Sequence, residues 1–220
     1  MVRPVAAADW DGRTLRGGFK DHDQVERDGL ADAARDGRWP DVLARLAKSP
    51  WLVNAWRPGG SSWYTPMHQA AWHGADPAVV RGLLAFGPWL TLRNAYGDRP
   101  FDIALRGGYT RLAGLLTPVI RNPLPTDVLT TLERHLHALV RERVANLVDE
   151  ERLRLPVLDV LTELPDPDVW FAVPGMYGGF HLVLHGEELE VSSWWRVVEG
   201  SGRRHRITAE GCFLVEQGFV

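Results

Sequence analysis

Three stretches of the chain repeat one pattern, and that periodicity restricts the available folds more than any other property of the sequence. They are LADAARDGRWPDVLARLAKSPWLVNAW from Leu30, MHQAAWHGADPAVVRGLLAFGPWLTLRNAYG from Met67 and FDIALRGGYTRLAGLLTP from Phe101. Each gives an apolar residue, small residues three or four later, a glycine, and then a second apolar helical run. The landmarks are Ala33, Ala34, Gly37 and Leu46, then Ala70, Ala71, Gly74, Leu83, Leu84 and Gly87, then Ala104, Gly108, Leu115 and Leu116. A unit this small cannot bury its apolar face alone, so units of this kind stack side by side, and three are the fewest that hold.

The second unit opens on YTPMHQAAWHG, Tyr64 to Gly74, with two histidines five residues apart. On a helix turning about 100° per residue, His68 and His73 stand roughly 140° apart, so they do not share a metal ion. Thr65, Pro66, Met67, His68 and Ala70 instead match T-P-L-H-x-A with methionine for leucine, and the three units together resemble ankyrin repeats. The resemblance implies that Thr65 caps the first helix, that Pro66 occupies its first turn where a missing N–H costs nothing, and that His68 hydrogen-bonds locally. It also implies that Gly74 ends the helix where a side chain is disfavoured. The departures are a longer connection around PGGSSWY, Arg99 and Asp102 where the third unit would carry threonine and histidine, and no T-P in the first unit.

At 220 residues, 45% apolar and 24% charged, the chain has enough material for one large or two small domains with a real core. A net charge of −3, with no basic run beyond Arg203, Arg204 and Arg206, argues against a nucleic-acid partner. No segment approaches the ~20 apolar residues of a membrane span, and no signal peptide is legible at the start, so a cytoplasmic location is expected. Cys212 is the single cysteine, which excludes an internal disulfide and a thiolate zinc site. Lys20 and Lys48 are the sole lysines among 25 basic residues, a bias that fits a high-GC bacterial source.

Beyond Pro118 the segment RNPLPTD reads as a linker, because its prolines interrupt helix. From Thr126 to about Glu151, Val128, Leu129, Leu132, Leu136, Leu139, Val140, Val144, Leu147 and Val148 recur at three- and four-residue steps, which predicts a helix with one apolar stripe. From Val169 short alternating runs separated by turn residues predict an antiparallel meander. Phe180, Leu182, Leu184, Leu189, Val191 and Trp195 would fall on one face, and His181, Glu190, Trp194 and Arg196 on the other. The expected architecture is mainly α with a C-terminal α+β part: an ankyrin-like stack over 27–118, a linker and long helix over 119–156 and the meander over 157–220 as its cover. Residues 1–26 would form an N-terminal arm or partial cap. The whole chain, including WFAVPGMYGGF, resembles small actinobacterial ankyrin-repeat proteins with a β-rich C-terminal part.

Ankyrin stacks present loop tips and inner helices along a concave side. The resemblance assigns Trp56, Arg57, Trp63, Tyr64, Gln69, Trp72, His73 and Arg106 to that surface, with Trp51 and Trp89 buried near helix ends. Tryptophan, tyrosine and arginine dominate protein interfaces because they remove large areas from water while keeping a polar handle. The first expected function is therefore binding of a protein partner. The second is a small cofactor-independent acid/base enzyme of dehydratase or cyclase type, acting on a secondary metabolite in a pocket between repeats and C-terminal domain. His181, Glu190, Arg196 and His205 are its candidate catalytic groups, and Tyr177, Trp194, Arg196 and Arg204 would hold a small-molecule ligand. Neither reading calls for a metal or a cofactor.

Overall fold

The computed structural model describes residues 8–195 and 202–219. They divide into two compact units: residues 14–119 form one, and residues 8–13 join residue 120 onward in the other.

The first unit is helical and begins with α1 (Asp21–Arg35) and α2 (Trp39–Lys48). There follow α3 (Pro66–His73) with α4 (Pro77–Leu84), and α5 (Pro100–Arg106) with a 3-10 turn at Thr110–Leu112 leading into the short α6 (Ala113–Leu116). Helix α3 packs between α1 and α5, while α4 packs between α2 and α6, so the three pairs lie side by side in two layers. Leu30, Leu46, Met67, Leu83, Ile103 and Leu112 fill the space between the layers. Ala33, Ala34, Ala70, Ala71 and Ala104 are fully buried, and their small side chains let neighbouring helices approach closely.

Local chemistry sets where the helices begin and end. Thr65 is extended and its Oγ1 accepts from the His68 N–H, while His68 Nδ1 accepts from the Thr65 N–H at 3.3 Å and lies 2.8 Å from Thr65 Oγ1. This reciprocal exchange satisfies donors that the first helical turn leaves without partners. The third pair has only one side of this device: the Arg99 N–H and Nε both donate to Asp102 Oδ2, at 2.9 and 3.0 Å, and the guanidinium, a donor only, accepts nothing in return. At the other end of α3, Gly74 sits at φ 56°, and a Cβ there would stand 2.4 Å from the Tyr109 ring.

Tryptophan burial departs from expectation at two positions. Trp51 is 57% exposed, with the buried Arg27 guanidinium 5.3 Å from its ring centre, and Trp56 is 5% exposed. Trp89 is buried, as expected.

The second unit combines helices with a six-stranded mixed sheet in an α+β layout. Helix α7 (Thr126–Glu150) is interrupted by non-helical backbone at Val144, and α8 (Asp159–Glu163) is short. Strands β2 (Asp168–Val173), β3 (Gly178–His185), β4 (Glu188–Trp194), β5 (Gly202–Thr208) and β6 (Gly211–Phe219) form the antiparallel meander in sequence order. Outside it lies β1 (Ala8–Trp10), parallel to β2. Within the stretch expected as an arm or partial cap (1–26), Ala8–Trp10 adds a strand at one edge of the sheet and Asp21 starts α1 of the helical unit. Trp10 is buried, its Nε1 donates to the Arg154 carbonyl at 2.8 Å, and the Arg154 guanidinium carbon lies 5.1 Å from its ring centre. Burial lowers the Arg154 pKa to about 10, which leaves it charged at neutral pH. Helix α7 packs along β5 and β6, burying Leu132, Leu136, Leu139, Val140, Val144 and Val148. No helix among the described residues is long and apolar enough to cross a membrane.

Two measurements test this account of the helical unit. Replacing Gly74 by alanine adds both a positive-φ penalty and the collision with Tyr109, and is expected to lower stability by more than about 1 kcal/mol in urea unfolding. Gly87→Ala, at φ 70° with open space around it, separates the first term from the second and should cost less. A pH series tests the ion-paired carboxylates. Hydrogen bonds from Arg57, Arg106 and Arg99 hold Asp32, Asp98 and Asp102 below the usual carboxylate range. Their contribution is complete above about pH 4, the ordinary carboxylate value, and is lost as the pH falls through the lower folded-state values. The stability gap between the native chain and Asp102→Asn should therefore narrow on acidification; a gap unchanged with pH would contradict the pairing.

Candidate functional site

The cap at Thr65 fixes the rotation of α3, and with it the direction of Gln69 and Trp72, three residues apart on one side of the helix. Trp72 is 59% exposed; Tyr64, just before the cap, places its ring 6.5 Å from the Trp72 ring in an edge-on arrangement. The loop after α4 supplies the opposite side. There the Asn94 side chain accepts from the Tyr96 N–H at 2.8 Å and the Asp98 N–H at 2.9 Å, closing a tight turn that displays Tyr96. The Ala95 N–H donates to the Ser62 carbonyl at 3.0 Å, so this turn is bonded to the loop before α3. Arg106 of α5 reaches Asp98 with both terminal nitrogens, at 3.0 and 2.5 Å.

Between these elements lies an open groove of about 510 Å³, lined by Ser62, Tyr64, Gln69, Trp72, Tyr96, Asp98 and Arg106. Burial, reinforced by the negative charge of Asp98, pushes the Tyr64 hydroxyl above its usual pKa, so it remains a neutral donor. A smaller recess of about 120 Å³ shares Ser62, Tyr64 and Gln69 and adds Arg35, Arg57 and Trp63. Trp63 is at φ 53°, a left-handed conformation that costs a bulky residue on the order of 1–3 kcal/mol and persists where its surroundings hold it.

Of the surface residues expected from the sequence, Tyr64, Gln69, Trp72 and Arg106 meet in the larger groove. Arg57 and Trp63 border the smaller recess, where Arg57 bonds to Asp32. Trp56 is withdrawn into the interior, so it presents no ring to a partner. His73 is exposed, yet its Nε2 lies 2.8 Å from the Arg35 carbonyl, tying the end of α3 to the end of α1. Tyr96 and Asp98 are groove residues outside the surface expected from the sequence. Their signal was the run NAYGD, an asparagine-stabilised turn standing at the same repeat position as the SSWY loop.

The C-terminal candidates divide between the two faces of the sheet. His181 pairs with Ser192 and that with Arg204, placing the three on one face with Trp170. His181 Nε2 lies 2.5 Å from Asp168 Oδ1 and its ring stacks at 6.4 Å on Trp194, which in turn sits 5.5 Å from Trp170. Arg204 bonds to Glu216 across the strands, and Glu190 stands opposite Arg206. Asp168 is a partner absent from the set expected from the sequence. His205 does not join this group: it pairs with Val191 and is buried on the opposite, helix-facing side. Tyr177 is 74% exposed in the turn before β3, at φ 51°, and Arg196 lies outside the described residues. Among the described residues no group of three histidine, cysteine or acidic side chains is placed to hold a metal ion.

No protein-family model matches the chain, and none of the curated proteins is significantly similar to it.

Proposed function

We propose that the helical unit is an ankyrin-type stack that binds another protein through the groove bordered by Tyr64, Gln69, Trp72 and Tyr96. What supports the ankyrin reading is the sum of local features: three helix pairs in two layers, the Thr65–His68 exchange beneath T-P-M-H, and Gly37, Gly74 and Gly108 all at positive φ. The observation that carries the binding reading is the pair of exposed rings, Trp72 at 59% and Tyr96 at 71%, beside the groove's polar groups. Exposed aromatic surface next to fixed hydrogen-bonding groups is the composition of an interface hot spot, and rings left in water gain most when a partner covers them. A fold of this kind carries no function by itself, and the support for binding comes from these exposed rings and their polar neighbours. Cys212 as a free thiol fits a reducing, cytoplasmic setting.

A second reading, a cofactor-independent acid/base enzyme, draws its support from the contact between Asp168 and His181 under Trp194. Its proton-transfer group would be His181, with Glu190 on the same face. Turnover of a carbonyl or hydroxyl substrate that disappears in His181→Gln would favour it over the binding reading.

The binding reading is tested by comparing the native chain with a Trp72→Ala/Tyr96→Ala variant and with Trp51→Ala, whose exposed ring lies outside the groove. A partner purified on the native chain should bind the double variant at least about thirty-fold more weakly and Trp51→Ala with unchanged affinity. Equal binding by native chain and double variant would remove the groove from the mechanism.

A further inference from the structure

The helix-facing side of the sheet changes character at β5. Under β3 and β4 it carries Phe180, Leu182, Leu184, Leu189 and Val191, all buried. The same row continues through β5 as Arg203 and His205, because Ser193 pairs with Arg203 and Val191 with His205. Period-two alternation beneath a packed helix calls for apolar residues at both places, so two polar side chains there break the pattern of their own sheet. Departures of this kind concentrate at sites with a task beyond folding.

Around them is a groove of about 350 Å³. Helix α7 forms one wall with His135, Ala138, Leu139 and Glu142, and β5 with β6 forms the other with Arg203, His205, Leu214 and Gln217. Glu142 and Arg203 thus place opposite charges on opposite walls, and neither forms an ion pair among the described residues. His205 is 6% exposed and its Nδ1 has no hydrogen-bond partner among them. Burial, followed by the positive charge of Arg143, lowers the His205 pKa, so the ring is neutral at pH 7. A buried ring nitrogen with nothing to bond is costly, and in native structures such groups mark catalytic or ligand positions. Cys212 borders the same groove, but burial and the neighbouring Glu142 raise its pKa, which keeps the thiol protonated and unreactive.

We propose that this groove is a binding site for a small zwitterion of the α-amino acid type with an apolar side chain. Its carboxylate bonds to Arg203, its ammonium group faces Glu142, and its side chain lies on Ala138, Leu139 and Leu214, with His205 and Gln217 supplying neutral hydrogen-bonding groups. Each simpler ligand fails on one wall. An anion would be repelled by Glu142, a cation by Arg203, and a purely apolar molecule would bury both charges without compensation. The volume stands at the low end of ligand pockets and suits a molecule of amino-acid size. The site belongs wholly to the second unit and is independent of the protein-binding groove.

The test uses the full chain and three probes: L-leucine, 4-methylpentanoate, which lacks the ammonium group, and 3-methylbutylamine, which lacks the carboxylate. Binding is read by ligand-observed NMR and calorimetry up to about 10 mM. L-Leucine is expected to bind, and each analogue to bind at least about tenfold more weakly, since each forfeits one charge-assisted contact. Arg203→Gln should weaken L-leucine by a similar factor and leave the residual binding of the amine unaltered, and Glu142→Gln should do the converse. Should either variant fail to fold, judged by its circular dichroism, the analogue series on the native chain decides alone. Absence of L-leucine binding at the highest concentration, equal binding of all three probes, or unchanged affinity in both folded variants would overturn the proposal.

Discussion

The helical unit depends on where its first helices start. A helix advances about 100° per residue, so beginning α3 one residue earlier or later would swing Gln69 and Trp72 away from the groove. Thr65 and His68 prevent that by bonding each other's backbone N–H, and Pro66 at the first helical position fixes φ there. At α5 the Asp102 carboxylate alone accepts, from the Arg99 N–H and from the Arg99 guanidinium, and this one-sided bond holds the start of the third pair where threonine and histidine are absent. With both starts fixed, Trp72 and Arg106 arrive at the same loop, where Asn94 already holds Tyr96 and Asp98 in place.

How far this was legible in the sequence follows from the range of the forces involved. The helix pairs, the capping exchange at Thr65 and the extent of the long helix are consequences of neighbours within about four residues, and they could be read directly. The burial of Trp56 and the exposure of Trp51 are not legible in the sequence, because the connection between α2 and α3 has no repeating pattern and tertiary packing decides which of its rings turns inward. Strand β1 carried no signal at all. It is three residues long and parallel to a partner more than 150 positions away, with no hairpin turn to announce the pairing. Of the groove, Tyr64, Gln69, Trp72 and Arg106 were visible through the repeat, whereas Tyr96 and Asp98 depend on a turn whose side-chain hydrogen bonds had to be seen.

The sheet illustrates the same limit at finer scale. Alternation assigned β3 and β4 to their faces without error, since Leu182 meets Val191 and Leu184 meets Leu189 on the buried side. It could not carry that assignment into β5, because the register there depends on a connection of unreadable geometry, and a slip of one residue reverses every side chain. His205 was therefore grouped with His181 although the observed pairing puts the two on opposite faces.

Arginines of both units bond to carboxylates, Arg141 to Asp149 and Arg204 to Glu216 in the second, and Arg203 departs from that habit in a way that bears on function. In the helical unit Arg16, Arg57, Arg99 and Arg106 each bond to an aspartate, holding loops and helix starts together. Such pairs are structural, and their surface location makes each worth little alone. Arg203 has an acidic residue across its groove and does not pair with it. Burial lowers the Arg143 pKa and the Arg203 charge adds to that, so the two cations repel one another. A sheet that invested solely in stability would place valine or isoleucine at such a helix-facing position, as this one does at Val191 and Ile207. Retaining arginine and histidine beneath a helix costs desolvation, and among the described residues no carboxylate pairs with Arg203 and nothing bonds His205 Nδ1; a ligand that brings its own carboxylate supplies the missing half of that balance.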